Sequence, residues 1–246
     1  GKAGGPAVRA MAPREAGFLA VLVAANLVAV TVDILLSALY PSLAARYARP
    51  VETLVLLGTP RALAQLGVLP LGALSDRVGR GRVLAGGLLL IGVAGWSAAA
   101  IPHFAAMVAL QVAFGLGVAI ATATVPAMAG DRYVYAVRGQ VLAVTRLAMP
   151  LALIAVVPGL VALAVRHGVA WAFCALGGAA TLLALLAAWR FRQSGQGAGQ
   201  AGEQPAMGGR SWARPRTLGM LAVGMALAIA PSSIFGFLAA WVTSAF

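Results

Sequence analysis

Long apolar runs separated by short polar stretches dominate the hydropathy pattern of this chain. A helix needs about 20 apolar residues to cross the hydrocarbon core of a bilayer. Runs of this order predict membrane-spanning helices, numbered here as spans 1 to 7, at 17–39, 54–74, 83–101, 104–128, 140–165, 169–189 and 217–241. The pattern therefore predicts an all-α membrane protein, a six-helix transmembrane bundle followed by a seventh transmembrane helix.

The composition agrees with this prediction. The chain is 61% hydrophobic and 10% charged, whereas soluble domains average roughly 45–50% and about 25%. The net charge of +12 does not indicate a nucleic-acid partner, because the basic residues lie between apolar runs rather than on one soluble face. The single cysteine, Cys174, lies inside an apolar run, and we interpret it as a packing residue.

The basic residues predict the orientation, because cytoplasmic loops carry an excess of Lys and Arg. One set of connections holds Lys2, Arg9, Arg14, Arg77, Arg80, Arg82, Arg132, Arg138, Arg190, Arg192, Arg210, Arg214 and Arg216. The opposite connections hold Arg46, Arg49 and Arg166. We therefore expect a cytoplasmic N-terminus. The composition, rich in arginine, alanine and glycine, suggests a bacterial source and hence the inner (plasma) membrane.

A polar stretch at 194–209, made mainly of Gly, Gln, Ala and Ser, interrupts the apolar pattern and is typical of a flexible linker. We predict a cytoplasmic tail at 1–16, a six-helix domain at 17–192, a cytoplasmic linker at 193–216 and the first helix of an incomplete C-terminal domain at 217–246. The chain opens with Gly1 instead of Met. We therefore expect a fragment or processed form, completed by a missing C-terminal half or by a partner chain.

The most specific stretch lies between spans 2 and 3 and reads Gly-x-Leu-x-Asp-Arg-x-Gly-Arg from Gly72 to Arg80. A glycine at position 79 permits a tight reversal with positive φ. The pattern resembles the signature loop of the major facilitator superfamily, although Gly81 stands where that family often has another basic residue. The resemblance implies a cytoplasmic gate that includes Gly72, Asp76, Arg77, Gly79 and Arg80.

Asp131, after span 4, faces the same predicted side. One interpretation is an ion pair with Arg77 or Arg80 that joins helices 2 and 4, and the gate would then include Asp131. The other is a solvated loop acid.

Asp33, Arg61 and Arg146 are the ionisable residues inside the predicted spans. An ionised side chain at the bilayer centre costs about 2.5–3.5 kcal/mol on insertion scales. From the helical rise of about 1.5 Å per residue, Asp33, Arg61 and Gln111 share one level, which predicts a contact between Asp33 and Arg61. Asp33 is either a proton or substrate site or a permanently ionised partner of Arg61. Arg146 either lines the cavity or snorkels to the interface.

Span 4 contains Gln111-Val-Ala-Phe-Gly-Leu-Gly, which is similar to the Arg-x-x-x-Gly-x-Gly pattern of many proton-coupled exporters of the same family. Gln111 replaces the arginine of that pattern. Either Arg61 supplies the buried charge or this type of coupling is absent, and Gln111 alternatively serves as a neutral interhelical hydrogen-bonding residue. Pro150, Pro158 and Gly159 in span 5 predict a kink and match the exporter pattern weakly.

The resemblance implies a secondary transporter that moves a small molecule by alternating access between two halves. We expect proton-coupled efflux, with an uptake permease or a non-transporting truncated or half-length membrane protein as alternatives. The expected partners are a small-molecule substrate, a proton and the lipid bilayer. The sequence shows no carboxylate pair, metal-ligand spacing or phosphate loop, so we expect neither an enzyme nor a cofactor or metal site.

Overall fold

A computed structural model describes residues 13–67, 75, 78–133 and 135–193. Its helices are α1 Pro13–Ala38, α2 Tyr40–Tyr47, α3 Val51–Val55, α4 Gly58–Gln65, α5 Arg80–Ala100, α6 Phe104–Arg132, α7 Tyr135–Arg146, α8 Ala148–Leu151, a π-helical turn Ala152–Val156, α9 Val157–His167 and α10 Val169–Gln193. The predicted seventh span and nearly all of the linker lie outside these residues.

Five helical stretches in the described part are long and apolar enough to cross a membrane. They are Glu15–Ala38, Arg80–Ala100, Phe104–Arg132, Val137–His167 and Val169–Arg192, which correspond to spans 1, 3, 4, 5 and 6. No strand occurs among the described residues. The prediction of an all-α membrane protein is confirmed.

Span 2 departs from the prediction of one helix from residue 54 onward. In its described part, α3 ends at Val55 and α4 begins at Gly58. Pro60 has no N–H to donate to the Leu56 carbonyl, and that carbonyl instead accepts the Thr59 N–H at 3.1 Å. The proline and Gly58 therefore interrupt the helix in the described part of this apolar run.

Span 5 is also interrupted, as its prolines predicted. The α-helix α7 ends at Arg146, and the π-helical turn Ala152–Val156 follows the short helix α8. Pro150 and Pro158 lie on either side of that turn, and each removes a backbone donor from the helix. The interruption expected from the prolines is present as a π-helical turn, and the bend itself remains a prediction.

Span 3 packs closely against spans 4 and 6 through glycines. A Cβ atom added to Gly95 would lie 2.8 Å from the Cα of Gly177 on α10, and one added to Gly117 on α6 would lie 2.8 Å from the Gly87 carbonyl oxygen. Small residues at helix contacts allow backbones to approach closely within a membrane. Helix α5 therefore lies in backbone contact with both α6 and α10.

Span 1 supplies much of the buried core. Leu22, Ala25 and Ala29 of α1 are fully buried, and α1 contacts span 4, span 5 and span 6. The polar residues of α1 must then lie either inside this core or on its remaining, less buried face. The positions of these polar side chains therefore decide where the bundle has ionisable and hydrogen-bonding groups.

Candidate functional site

A polar cluster joins spans 1 and 2. The Arg61 Nε atom lies 3.6 Å from Oδ1 of Asp33, and the Gln65 side-chain amide donates a hydrogen bond of 3.1 Å to the same oxygen. Arg61 and Gln65 are four residues apart on α4 and so project from the same helix face. The predicted contact between Asp33 and Arg61 is confirmed.

The guanidinium of Arg61 is held in place from two sides. Its Nη1 donates to the Val32 carbonyl at 3.2 Å, and the Arg61 side chain is only 11% exposed. A Cβ atom added to Gly115 on α6 would lie 2.4 Å from the Arg61 carbonyl oxygen. The glycine at this position lets span 4 approach α4 closely enough to place Arg61 beside Asp33.

The Asp33 carboxylate is not fully enclosed, because its side chain is 39% exposed. Asn26, Val30 and Ser37 are likewise only partly buried and lie on the same side of α1. This side of α1 therefore carries a partly exposed ionisable group. An arginine and an amide donor hold the carboxylate from the other side.

Gln65 was not among the residues predicted from the sequence. Its position one helical turn after Arg61 was the available signal, since residues at this spacing share a face. The signal was obscured because span 2 was predicted as one long apolar helix, in which a single glutamine carries little weight. The break before Gly58 and the short helix α4 bring this side into contact with span 1.

Gln111 lies inside the bundle. It is 1% exposed and lines a cavity of about 10 Å³ together with Val32, Phe114 and Phe173. Its side-chain nitrogen has no hydrogen-bond partner in the part of the chain that the structure describes. Val32 connects the two sites, since its side chain lines this cavity while its carbonyl accepts the bond from Arg61.

Arg146 is the last residue of α7 and is exposed. Within the described residues, no hydrogen bond or ion pair of its side chain joins it to Asp33, Arg61 or Gln111. The structure therefore brings Asp33 and Arg61 together, and it shows no side-chain contact of Arg146 with them among the described residues.

Only part of the predicted gate can be described. Gly72, Asp76 and Arg77 lie outside the described residues. Gly79 has a φ of +98°, so the predicted positive-φ reversal is confirmed. Immediately after it, the Arg80 Nη1 atom lies 2.6 Å from Oδ2 of Asp131.

The Arg80–Asp131 pair corrects one detail of the prediction. Arg80 is the first residue of α5, and Asp131 lies in the last turn of α6. The ion pair therefore joins the ends of spans 3 and 4, and the prediction that it joins spans 2 and 4 was wrong. The reason is local: the positive φ of Gly79 starts the third helix earlier than the apolar pattern suggests.

An aromatic cluster near this ion pair was not predicted. Phe18 at the start of span 1 lies 6.3 Å from Tyr133 and 5.9 Å from Phe191, measured between ring centroids. The Arg132 guanidinium lies 4.7 Å from the Phe18 ring centroid. Burial raises the pKa of the Tyr133 hydroxyl, and Glu15 raises it further. The cluster joins the ends of spans 1, 4 and 6, here called the basic end of the bundle.

Among the described residues, no group of three or more His, Cys, Asp or Glu side chains could hold a metal ion. Cys174 is partly buried and is not in a disulfide. The chemistry available in the described part is therefore that of Asp33 and its donors within the spans and of the ion pair at the basic end.

Comparison with known proteins identifies the family. The sequence model of the Major Facilitator Superfamily matches residues 19–246, which is most of the chain. Neither the curated proteins nor the solved structures contain a significant match. The family match agrees with the five membrane-length helices and with the loop pattern that ends in Gly79 and Arg80. The chain therefore belongs to the Major Facilitator Superfamily, whose members are membrane transporters rather than enzymes.

Proposed function

We propose that the protein exports a small molecule by alternating access, in exchange for protons that bind and leave Asp33. The observation that carries this proposal is the Asp33 carboxylate within span 1, which is partly exposed and is held by Arg61 and Gln65. An ionised group inside a span is costly and is functional by default. The contact with Arg61 lowers this cost and leaves one side of the carboxylate free.

The neutralisation of Asp33 on proton binding supports a coupling step. When Asp33 is ionised, its attraction to Arg61 favours the observed contact between spans 1 and 2. A proton on Asp33 removes this attraction, and the two spans can then separate. A proton therefore changes the relative stability of two arrangements of the same helices, which is what coupling requires.

The remaining predicted residues take subsidiary roles in this proposal. Gln111 supports the wall behind the site, as a neutral residue that spaces spans 1, 4 and 6. Arg146 contributes a cation to the substrate cavity. The loop from Gly72 to Arg80, with Asp131, forms the gate at the basic end, and that end lies on the cytoplasmic side of the bacterial inner membrane. The N-terminus is cytoplasmic in this orientation.

Asp33→Asn tests the coupling directly. The variant keeps the size and polarity of the side chain but cannot exchange a proton, so transport driven by a pH gradient is lost. The measurement is the flux of ethidium, a fluorescent organic cation, in proteoliposomes with an imposed pH gradient. We expect the wild-type protein to concentrate ethidium against its gradient and the variant to show no pH dependence.

Glu52→Gln provides the matched control, because Glu52 is an exposed acid at the beginning of α3 rather than within a membrane-length helix. This variant should retain the wild-type flux and its pH dependence. If Asp33→Asn also retains them, Asp33 is a permanent ionic partner of Arg61 and the coupling proposal fails. If ethidium does not move in either direction, the expected export of this cation is contradicted.

An uptake permease is the second candidate, and Gln111 is the observation that favours it. The exporters whose span 4 pattern is similar carry a buried arginine at this position, whereas this chain carries an amide without a described hydrogen-bond partner. Flux measured in right-side-out and inside-out vesicles separates the two directions. Accumulation in right-side-out vesicles would support uptake.

A further inference from the structure

Span 5 contains a joint between Arg146 and Val157. The helix α7 ends at Arg146, the short helix α8 follows, and the π-helical turn Ala152–Val156 precedes α9. Pro150 has no N–H for the Arg146 carbonyl, and Pro158 has none for the carbonyl of Ile154. Single π-helical turns inside helices are frequent at functional sites. The joint is therefore a place where span 5 can bend.

Backbone polar groups at membrane depth need partners within the protein. Next to the joint, the side-chain amide of Asn26 on span 1 donates a hydrogen bond of 2.8 Å to the Thr145 carbonyl. Thr145 is 3% exposed, and its hydroxyl donates to the Leu142 carbonyl of its own helix at 2.8 Å. The bond from Asn26 thus crosses between spans, whereas the bond from the Thr145 hydroxyl stays within span 5.

Span 1 lies against the joint beyond this one bond. Ala148 and Ala152 are fully buried, and both α8 and the π-helical turn contact α1. Asn26 and Asp33 are separated by two helical turns, so they share a face of α1. A movement of α1 that accompanies a change at Asp33 would also displace the amide of Asn26.

We propose that Asn26 is a positioning residue that holds the joint of span 5 against span 1. While its amide donates to Thr145, the two halves of span 5 keep one relative orientation. When α1 moves, the bond breaks and span 5 bends at the π-helical turn. The role of this bend in transport rests on the proposed function, whereas the bond and the bend themselves can be tested without transport.

Distances across the joint test this proposal. In a Cys174→Ala background, spin labels are attached to Val137→Cys on α7 and Val165→Cys on α9, because both valines are exposed. The labelled positions are roughly 40 Å apart along a straight helix. Distances between the labels are measured by pulsed electron paramagnetic resonance in lipid nanodiscs.

Asn26→Leu removes the donor and keeps the branched shape of the side chain. We expect the population at a second, bent distance to rise about three- to fifteenfold, which is the factor that corresponds to an interhelical hydrogen bond in a membrane. Asn26→Gln retains an amide donor and should restore most of the wild-type distribution. This rescue separates loss of the hydrogen bond from a general loss of stability.

Two variants serve as controls. Ser37→Ala removes a hydroxyl on the same face of α1 whose hydrogen bond in the described part of the chain stays within its own helix, to the Ile34 carbonyl. Thr145→Val removes the hydroxyl of Thr145 and leaves its carbonyl in place. Both should give the wild-type distances.

An unchanged distance distribution in Asn26→Leu overturns the proposal, and so does an equal change in the controls. If Asn26→Leu does not fold, Asn26→Ala deletes the donor without adding bulk and is tested by the same criterion. Loss of the coupling role of Asp33 would leave these distances unaffected, so failure of the proposed function and failure of this inference can be distinguished.

Discussion

The contact between spans 3 and 6 and the surroundings of span 5 represent opposite ways of building a membrane helix bundle. Of the most apolar stretch of span 3, 56% of the residues are buried inside the bundle, against 22% for span 5. Spans 3 and 6 touch through Gly92, Gly95 and Gly177. Span 5 has a π-helical turn instead of a continuous α-helix.

The difference shows how one bundle can be rigid and bendable in different places. In lipid, helix association depends on close van der Waals contact and on interhelical hydrogen bonds rather than on the hydrophobic effect. Glycines provide continuous contact between spans 3 and 6, which resists small displacements. Span 5 depends more on individual hydrogen bonds such as the one from Asn26 to Thr145. One hydrogen bond can be broken and replaced at a low cost in free energy.

Among the variants that test this difference between spans 3 and 5, we expect the largest loss of stability for Gly95→Val. Its Cβ atom would lie 2.8 Å from the Cα of Gly177, and backbone cannot move aside as a flexible side chain can. We expect a loss of several kcal/mol, enough to abolish folding, because overpacking alone costs about 1–3 kcal/mol and separation of the helices adds to it. Size-exclusion chromatography in detergent after stepwise heating measures this loss.

Gly86→Ala is the control on the same helix, because nothing lies within 4 Å of a Cβ atom at that position. This variant should elute as the wild-type protein does. Wild-type behaviour of Gly95→Val would show that spans 3 and 6 are not held together by close backbone contact.

A smaller effect, of opposite sign, is expected for Gly159→Ala in span 5. Nothing lies within 4 Å of a Cβ atom at this position, and alanine favours the helix by up to about 1 kcal/mol over glycine. The thermal midpoint should therefore stay the same or rise slightly, as measured by tryptophan fluorescence. A marked fall would mean that span 5 is as closely packed as span 3, which contradicts the comparison.

The smallest effect is expected for Asp131→Asn, which removes the ion pair between the ends of spans 3 and 4. The Asp131 side chain is 56% exposed and that of Arg80 is 31% exposed. Water screens such pairs, so we expect a loss of about 0.2–1 kcal/mol. The loss should shrink further in high salt. Equilibrium unfolding of the wild-type protein and the variant at two salt concentrations measures it, and an effect that is large and independent of salt would contradict this account.

Much of the fold could be predicted from the sequence. The apolar runs located five of the spans, and the prolines located the interruption of span 5. The contact of Asp33 with Arg61 was predicted from their depth in the membrane alone. Two opposite charges at the same depth stabilise each other when they are in contact. Gly79 was expected to have a positive φ, since the chain must reverse direction there.

Other features of the candidate site could not be predicted in this way. Gln65 donates its hydrogen bond to Asp33 from α4, the helix that begins at Gly58 after the break in span 2. Gln111 was expected at the level of Asp33, and the tertiary structure adds that it lines a small cavity together with Val32. Asn26 attracted no attention in the sequence, because one amide in an apolar helix has no meaning until its acceptor on another span is known.

The sequence by itself determined which segments are helical and long enough to cross a membrane, and it determined the family. These properties are local, because the free energy of transfer into lipid adds up along a run of neighbouring residues. The tertiary structure decided that Arg80 contacts Asp131 from the start of span 3. It also decided which face of span 1 is only partly buried and which carbonyl accepts the hydrogen bond of Asn26. These properties depend on the rotation and separation of helices, which contacts such as that between Gly95 and Gly177 fix across distant parts of the chain.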